Sequence, residues 1–220
     1  MDEYAYVPKT QLSKLKSLVR QFKNYEPQEI LEELKGDYSS LYVDSIFDKL
    51  DLLTKREDLH LIAFKNRPWE YETFLTFLNP QYPPVNIFEI DEKHIFDNIK
   101  VPFTVNGIWQ AYVLRDLWCT ALPIYGHASY SRMEVYLGHK NAPDSSWACN
   151  ENNVYGKITE EYLPSIKLED DNTATIKVAL WNDWNGWCQA TIKVIWKDGK
   201  VTFRKPHTKI IAKYNCGILF

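Results

Sequence analysis

The feature that most constrains the fold is a long alternating stretch near the C-terminus, residues 172–214. Apolar and polar residues alternate there with period two, and β-branched and aromatic residues dominate, as is typical of half-buried antiparallel strands. The strand segments are Thr173 to Trp181, Trp187 to Trp196, Val201 to Lys205 and Thr208 to Tyr214. The pair Asp198-Gly199 favours the positive φ values of a tight hairpin. The stretch therefore predicts a β-meander.

Strand alternation gives this meander two different faces. One face is apolar and needs a core from elsewhere in the chain; it collects Ile176, Val178, Leu180, Ile192, Val194, Trp196, Val201, Phe203, Ile210, Ala212 and Tyr214. The other face is basic, with Lys177, Lys193, Arg204, Lys209 and Lys213 beside Ala179, Trp181 and Ile195. We therefore expect an exposed tryptophan, Trp181, among lysines on the second face.

The first 80 residues predict helices. Apolar residues recur every three or four positions from Pro8 to Tyr25, which indicates an amphipathic helix. Further helices are predicted for Gln28 to Lys35, from Ser39 or Ser40 through Leu53, and for Trp69 to Leu78. The segment Leu59 to Phe64 fits either a helix end or a short strand.

Residues 85–220 predict mainly β-structure. The expected elements are a strand at Val85 to Ile90, a short helix from Asp91 to Asn98, a hairpin at Val101 to Leu114 turning at Asn106-Gly107, strands at Leu117 to Ala121 and Ala128 to Leu137, and an irregular loop from Gly138 to Gly156. Together the two parts predict one α+β domain, 1–220. Its helical part, 1–80, would form a layer packed on a large antiparallel sheet in the β-rich part, 85–220.

Composition limits the class of protein. Aromatic residues make up 15% of the chain, with eight tryptophans and fourteen tyrosines, which favours either an aromatic core or a binding surface. The net charge of −3 disfavours a protein that coats nucleic acid with its whole surface. The N-terminal residues lack the pattern of a signal peptide, and no apolar run has the length of a membrane span. A cytoplasmic protein without a membrane partner is predicted.

The cysteines and the local motifs predict neither a metal site nor a cofactor. Cys119, Cys149, Cys188 and Cys216 are widely spaced and form no C-x-x-C pair, which favours free thiols in a reducing compartment. The chain contains no glycine-rich phosphate loop, no H-E-x-x-H and no G-x-S-x-G.

The most enzyme-like segment runs from Pro123 to Glu134. His127 follows a glycine at an expected strand start, where a general base can be displayed. Cys119 lies eight residues upstream and would pair with it as a nucleophile from an adjacent strand. Arg132 completes the catalytic candidates, and Tyr130 is a ligand-binding candidate on the same strand. The alternative interpretation is an ordinary strand whose histidine bonds to the backbone.

A second candidate site combines tryptophans with basic residues. Trp181, Asp183, Trp184 and Trp187 lie where one strand turns into the next, and indole faces beside short polar side chains suit stacking on a sugar or a base. The alternative is a loop that folds its indoles over the end of the core.

Basic residues are concentrated near this candidate site. Residues 192–220 contain seven basic and one acidic residue, and Lys193 and Arg204 share the predicted face of Trp181. This face is either a landing site for an anionic partner or a solvated surface, or it is docked on the acidic segment between Glu26 and Asp58.

These observations favour a non-catalytic intracellular binding protein with an aromatic and basic surface. Its partner is predicted to be a protein or a small molecule in preference to nucleic acid, and the oligomeric state stays open. The alternative is a small-molecule enzyme, a hydrolase or a transferase, centred on His127.

Overall fold

A computed structural model describes residues 3–23, 38–66, 73–78, 92–120, 133–138, 154–182 and 185–214. The elements in chain order are β1 (Ala5–Tyr6), α1 (Lys9–Lys23), β2 (Tyr38–Tyr42), β3 (Thr54–Lys55), β4 (His60–Asn66), β5 (Thr73–Leu78), α2 (Glu92–Asp97), β6 (Ile99–Lys100), α3 (Val105–Thr120), β7 (Met133–Val135), β8 (Val154–Tyr155), β9 (Ser165–Leu168), β10 (Thr173–Asn182), β11 (Gly186–Lys197), β12 (Lys200–Phe203) and β13 (His207–Tyr214). Short 3-10 helices occupy Asp44–Asp48 and Glu160–Tyr162.

The chain divides into two compact units. The first contains residues 1–8, 125–195 and 203–220, and the second contains residues 9–124 and 196–202. The mixed α+β architecture with a large antiparallel sheet is confirmed. One domain over 1–220 and a helical layer packed on the sheet stay predictions.

Within the described residues, the second unit contains three α-helices and two small antiparallel sheets. Strands β2, β4 and β5 form one sheet in the order β2-β4-β5, and β3 pairs with β6. Helix α1 buries Leu12, Leu15 and Leu18, the apolar stripe that its sequence predicts. Helix α3 is buried along most of its length, and Trp109 stacks on Tyr112 with ring centroids 5.5 Å apart.

A polar network fixes the loop after the first 3-10 helix in this unit. The buried Gln110 amide donates to Asp51 Oδ1 at 2.8 Å, and its carbonyl oxygen accepts from the Leu52 N–H at 2.9 Å. Lys14 Nζ lies 2.7 Å from the same Asp51 oxygen. The hydrogen bond from Lys14, and after it the one from Gln110, lowers the pKa of Asp51.

Asp51→Asn is expected to lower the free energy of unfolding by about 0.5–1 kcal/mol at neutral pH, since the ion pair with Lys14 is half exposed. A carboxyl whose pKa is lowered by folding stabilises above its unfolded pKa and loses that contribution as the pH falls through the folded value. The difference between the two proteins should therefore shrink below about pH 4. Denaturant titrations at several pH values measure it, with Asp48→Asn as an exposed control. A difference independent of pH would contradict this role of Lys14.

Several predicted elements in this unit are wrong, and tertiary pairing explains why. The third predicted helix is replaced by β2 and the 3-10 helix, and the described part of the fourth, residues 73–78, is strand β5. The start of the fourth, residues 69–72, lies outside the described residues. Both strands pair with β4, which settles the ambiguous segment Leu59 to Phe64 as a strand. Cross-strand packing outweighs local helix propensity here.

The predicted hairpin at Val101 to Leu114 and the predicted strand at Leu117 to Ala121 are also wrong, because α3 occupies residues 105–120. Thr104 caps this helix: its Oγ1 accepts from the Gly107 N–H at 3.0 Å, and its carbonyl accepts from the Ile108 N–H at 2.9 Å. The Asn106-Gly107 pair therefore lies in a first helical turn. A Cβ on Gly107 would stand 2.2 Å from the Pro102 carbonyl oxygen, so glycine is needed for close packing.

Other predicted elements agree with the structure or fall outside it. Helix α1 confirms the first predicted helix as far as Lys23, α2 confirms the short helix after Asp91, and β7 confirms part of the strand at Ala128 to Leu137. The helix at Gln28 to Lys35, the strand at Val85 to Ile90 and most of the loop from Gly138 to Gly156 lie outside the described residues.

The large sheet has the strand order β1-β9-β10-β11-β13-β8, with β7 also paired to β10 and β12 also paired to β11. Strands β10 and β11 pair antiparallel from Thr173 opposite Ile195 to Asn182 opposite Gly186. The hairpin β11–β12 turns at Asp198 and Gly199 with φ values of 52° and 85°, as predicted.

The meander is confirmed with one correction. Strands β12 and β13 do not lie side by side; both pair with β11. The Arg204 N–H bonds to the Lys193 carbonyl at 2.8 Å, and Pro206 follows before β13 begins. The two strands thus follow one another along the same side of β11.

Residues opposite each other on neighbouring strands share a face, which defines two faces of the sheet. The core face contains Ala174, Ile176, Val178 and Leu180 of β10 with Ala190, Ile192 and Val194 of β11, and all seven are buried. The other face, here called the lysine face, contains Thr175, Lys177, Ala179 and Trp181 of β10 with Trp187, Gln189, Thr191 and Lys193 of β11.

A β-bulge changes the alternation of β13. Trp187 lies opposite Ala212, whereas Cys188 lies opposite Ile210, so Ile211 is an additional residue in β13. An additional residue moves every later side chain to the other face. Ala212 and Tyr214 therefore lie on the lysine face and Lys213 on the core face, the reverse of the predicted assignment.

Candidate binding surface

One end of the lysine face is closed by an aromatic cluster, Tyr136, Trp181, Trp187 and Tyr214. Trp187 contacts Trp181 and Tyr136 edge-on, with ring centroids 5.4 Å apart in both pairs. Tyr214 lies 5.1 Å from Trp181, and Ile158, Ala179 and Ala212 complete the packing. Burial first, and then the charge of Glu160, raises the pKa of Tyr136, so its phenol stays neutral.

The aromatic cluster corrects a central expectation about Trp181. The predicted face is right, but Trp181 is only 2% exposed and Trp187 is fully buried. Side chains that follow β7 and β8, among them Tyr136 and Ile158, cover both indoles. These two segments lie outside the alternating stretch, so its pattern does not predict the cover. Among the predicted ligand contacts, Trp181 and Trp187 therefore offer no exposed stacking surface in this structure.

The remainder of the lysine face is polar and basic. Lys167 and Lys193 lie on either side of Thr175, Lys177 lies between Ser165 and Thr191, and Lys209 lies opposite Gln189. His207 of β13 stands opposite Thr191 on the same face. These four lysines lie in adjacent rows of residues that stand opposite one another across the strands, and Lys193 and Lys209 are exposed.

Two tyrosines extend this face at the β1 edge. Tyr6 lies opposite Ser165 and is 58% exposed. The Lys177 ammonium lies 3.8 Å from the ring centroid of Tyr4, a cation–π contact that holds the lysine side chain in place. Sequence reasoning missed both rings, although Tyr4 and Tyr6 alternate with Ala5 in the period of a strand.

One group of acidic residues near this face lies at the turn between β9 and β10. Thr175 donates its hydroxyl to Glu169 Oε1 at 2.6 Å. Asp170 accepts from the Asn172 N–H at 2.9 Å, which is the main cause of its lowered pKa, and the charge of Lys193 contributes. The carboxylates therefore organise the turn, and Lys193 still stands exposed to solvent.

The predicted catalytic residues are not brought together by the described part of the chain. His127, Tyr130 and Arg132 lie outside the described residues, as do Asp183 and Trp184. Cys119 lies in helix α3, so the strand predicted to carry it is wrong. Its pairing with His127 stays a prediction, because His127 is outside the described residues. Lys193 and Arg204 are exposed, as expected of binding residues.

Cys188 is a free thiol on the core face of β11, opposite Leu180. It is half-buried, and burial raises the pKa of its thiol. A protonated thiol is a poor nucleophile, so the surroundings of Cys188 do not activate it for reaction.

An oriented histidine in the second unit was not found from the sequence. His60 Nδ1 lies 2.7 Å from Asp44 Oδ2, and Asp44 Oδ1 accepts from the Leu61 N–H at 2.9 Å. Lys55 Nζ lies 3.7 Å from the same carboxylate and donates to the Leu59 carbonyl. These bonds join the 3-10 helix to the start of β4. Sixteen residues separate His60 from Asp44, so only the folded chain reveals the pair.

Within the described ranges, no group of three or more histidine, cysteine, aspartate or glutamate side chains is arranged to hold a metal ion. None of the helices in the same ranges combines the length and apolar character that crossing a bilayer requires. Comparison with family models, with curated proteins and with solved structures gives no match. Function therefore has to be inferred from the geometry of the chain itself.

Proposed function

We propose that the chain is a non-catalytic binding protein whose lysine face holds an acidic segment of a partner protein. The observation that carries the proposal is the arrangement of Lys167, Lys177, Lys193 and Lys209 in adjacent rows of one sheet face. Strand geometry fixes the Cα positions of these rows, so the ammonium groups project from a rigid base. A rigid base lowers the entropy lost when a partner binds.

The spacing of the rows suits an extended polypeptide. Lys193 and Lys209 are exposed, and they lie on the neighbouring strands β11 and β13. Lys209 lies opposite Gln189, four residues from Lys193, which separates the two lysines by roughly 14 Å along the strand. An extended acidic chain presents carboxylates on one side at intervals of about 7 Å, so every second one can reach a lysine. Thr191 and Gln189, between the lysines, add hydroxyl and amide groups for hydrogen bonds.

A protein partner is favoured over nucleic acid on two grounds. Sequence-tolerant binding of single strands uses successive exposed aromatic faces on which bases stack. Among the described rings of the lysine face, Trp181, Trp187 and Tyr214 are buried and Tyr6 is exposed, which is too few for a row of stacked bases. The net charge of −3 would also repel a long polyanion outside the lysine face. A short acidic segment meets only the local positive charge. The cytoplasmic location predicted from the sequence belongs to this proposal, and the free thiol of Cys188 agrees with a reducing compartment.

Charge reversal tests the proposal. The double variant Lys193→Glu/Lys209→Glu should weaken binding of a labelled peptide of alternating glutamate and threonine by about tenfold or more, because it replaces two attractive contacts with repulsive ones. Fluorescence anisotropy at low salt measures the affinity. The matched control, Lys9→Glu/Lys16→Glu, alters two exposed lysines of helix α1 and changes the net charge equally. Equal weakening in both double variants would reduce the effect to net charge and refute the proposed surface.

A further inference from the structure

The outer side of β13 is open over most of its length in the described structure. Strand β13 pairs with β11 from His207 to Lys213. On its other side β8 pairs only with Lys213 and Tyr214. Among the described strands, none lies beside residues 207–210 on that outer side.

The path of the chain after β8 explains the open edge. Gly156 follows β8 with a φ of 114°, and its Cα carries no side chain where a Cβ would lie 3.3 Å from the Ala212 Cα. The chain turns there, and Ile158, two residues later, is buried in the aromatic cluster on the lysine face. Strand β8 therefore ends at Tyr155 and leaves the preceding part of β13 uncovered.

This edge has the properties of a strand acceptor. Residues 207–210 are exposed, and Ile210 is 51% exposed. In an antiparallel strand, alternate residues direct their N–H and C=O groups away from the neighbour, so an edge offers hydrogen bonds to an added strand. Thr208, Ile210 and Ile211 are β-branched, which suits packing beside another strand.

Charge selects which strand can be added. Residues 199–220 contain five lysine or arginine residues and no acidic residue. A second copy of this chain would bring lysines of two β13 strands together, and like charges on neighbouring strands are destabilising. An acidic segment beside the open part of this edge would meet His207 and Lys209 on the lysine face. The edge thus disfavours self-association and favours an acidic partner.

We propose that the outer edge of β13 receives the acidic segment of the partner as an additional antiparallel or parallel strand. This inference rests on the proposed function, because His207 and Lys209 belong both to the edge and to the lysine face. Main-chain hydrogen bonds would then supply affinity, and the lysines would supply the preference for acidic side chains. Binding on the face alone needs no main-chain bonds from the peptide, and that difference makes the two modes separable.

The experiment compares two peptides of about eight residues with the same alternating glutamate and threonine sequence. One has an ordinary backbone, and the other carries N-methyl groups on every second residue of its hydrogen-bonding side. Both have the same charge, but the methylated peptide cannot form a strand ladder on that side. We expect the methylated peptide to bind the full chain at least tenfold more weakly, since each lost bond contributes about 0.5–1.5 kcal/mol.

Amide hydrogen exchange of residues 207–211 locates the binding. In the free protein, alternate amides of this segment should exchange rapidly, and the ordinary peptide should protect them. Slow exchange of all these amides before peptide is added would show that the edge is already covered and would overturn the inference. Equal affinity of the two peptides would overturn it as well, while leaving binding on the lysine face intact. No binding of either peptide would refute the proposed function itself.

Discussion

Trp187→Ala is expected to lower the free energy of unfolding by about 3–5 kcal/mol, the usual cost of truncating a large buried aromatic side chain. Trp187 is fully buried and contacts both Trp181 and Tyr136. Truncation leaves a cavity at the centre of the aromatic cluster, and the neighbouring rings lie on three different strands or segments that cannot close it. Chemical denaturation followed by far-UV circular dichroism measures the loss without relying on the removed fluorophore.

Tyr155→Ala is the control for this change. Tyr155 belongs to the same sheet but is 60% exposed, so its removal should change stability by no more than about 0.5 kcal/mol. Trp187→Phe keeps an aromatic ring and should recover part of the loss. A small effect of Trp187→Ala, comparable with that of Tyr155→Ala, would show that Trp187 is displayed to solvent as a ligand contact and would contradict the aromatic cluster.

Gly186→Ala is expected to cost about 2–5 kcal/mol of stability, from backbone strain and from steric overlap together. Gly186 has a φ of 82°, which L side chains rarely adopt. A Cβ at this position would stand 2.3 Å from the Ala212 carbonyl oxygen and 2.6 Å from the Tyr214 amide nitrogen. Both are backbone atoms of β13, which pairs with β11 here, so neither can move without opening the ladder.

Gly138→Ala separates the two causes. Gly138 has nearly the same φ, 83°, but its added Cβ would meet only Leu163 Cδ2 at an ordinary 3.5 Å. This variant should lose only the strain of the left-handed conformation, about 1–2 kcal/mol. The same denaturation experiment compares both variants. Equal losses would show that the overlap at Gly186 is relieved by small shifts, and that the junction with β13 is less rigid than the structure indicates.

The alternating sequence pattern was sufficient to predict the hairpins formed by β10, β11 and β12. In paired strands, alternate side chains lie on opposite faces of the sheet, so the pattern of apolar and polar residues indicates the pairing. The alternation in β10 and β11 places Ile176 and Ile192 on one face and Lys177 and Lys193 on the other, as predicted. The turn at Asp198 and Gly199 was equally predictable, since only positive φ values fit a two-residue hairpin of this twist.

The face of a side chain is wrongly predicted where one additional residue interrupts the alternation of a strand. Nothing in the sequence of β13 marks Ile211 as the bulge, because Ile210 and Ala212 on either side of it are also apolar. The bulge moves Tyr214 to the face of Trp181 and Lys213 away from it. The aromatic cluster therefore could not be assembled from the sequence alone.

The prediction of a hairpin in place of helix α3 has a different cause. Asn106-Gly107 is a turn signal by composition, but Thr104 caps a helix immediately before it and supplies the bond that the Gly107 amide needs. A run of buried apolar residues on all sides of α3 also hides the helical period from the sequence.

The sequence predicts the lysines of the candidate site but not its aromatic rings. Lys193 and Lys209 follow from alternation, whereas the half-buried Tyr4 and the exposed Tyr6 reach this face through the pairing of β1 with β9. That pairing joins segments about 160 residues apart, and no local pattern specifies it. Long-range pairing also decides that Trp181 is covered.

Titration of the full chain with the alternating glutamate–threonine peptide, beside a lysine–threonine peptide of equal length, tests the central claim most directly. The lysine face predicts saturable binding of the acidic peptide at low salt, weakened by about tenfold between roughly 20 and 300 mM salt as exposed charges are screened. It predicts no binding of the lysine peptide. Equal binding of both peptides, or no binding of the acidic peptide at the lower salt concentration, would contradict a basic surface that receives an acidic partner.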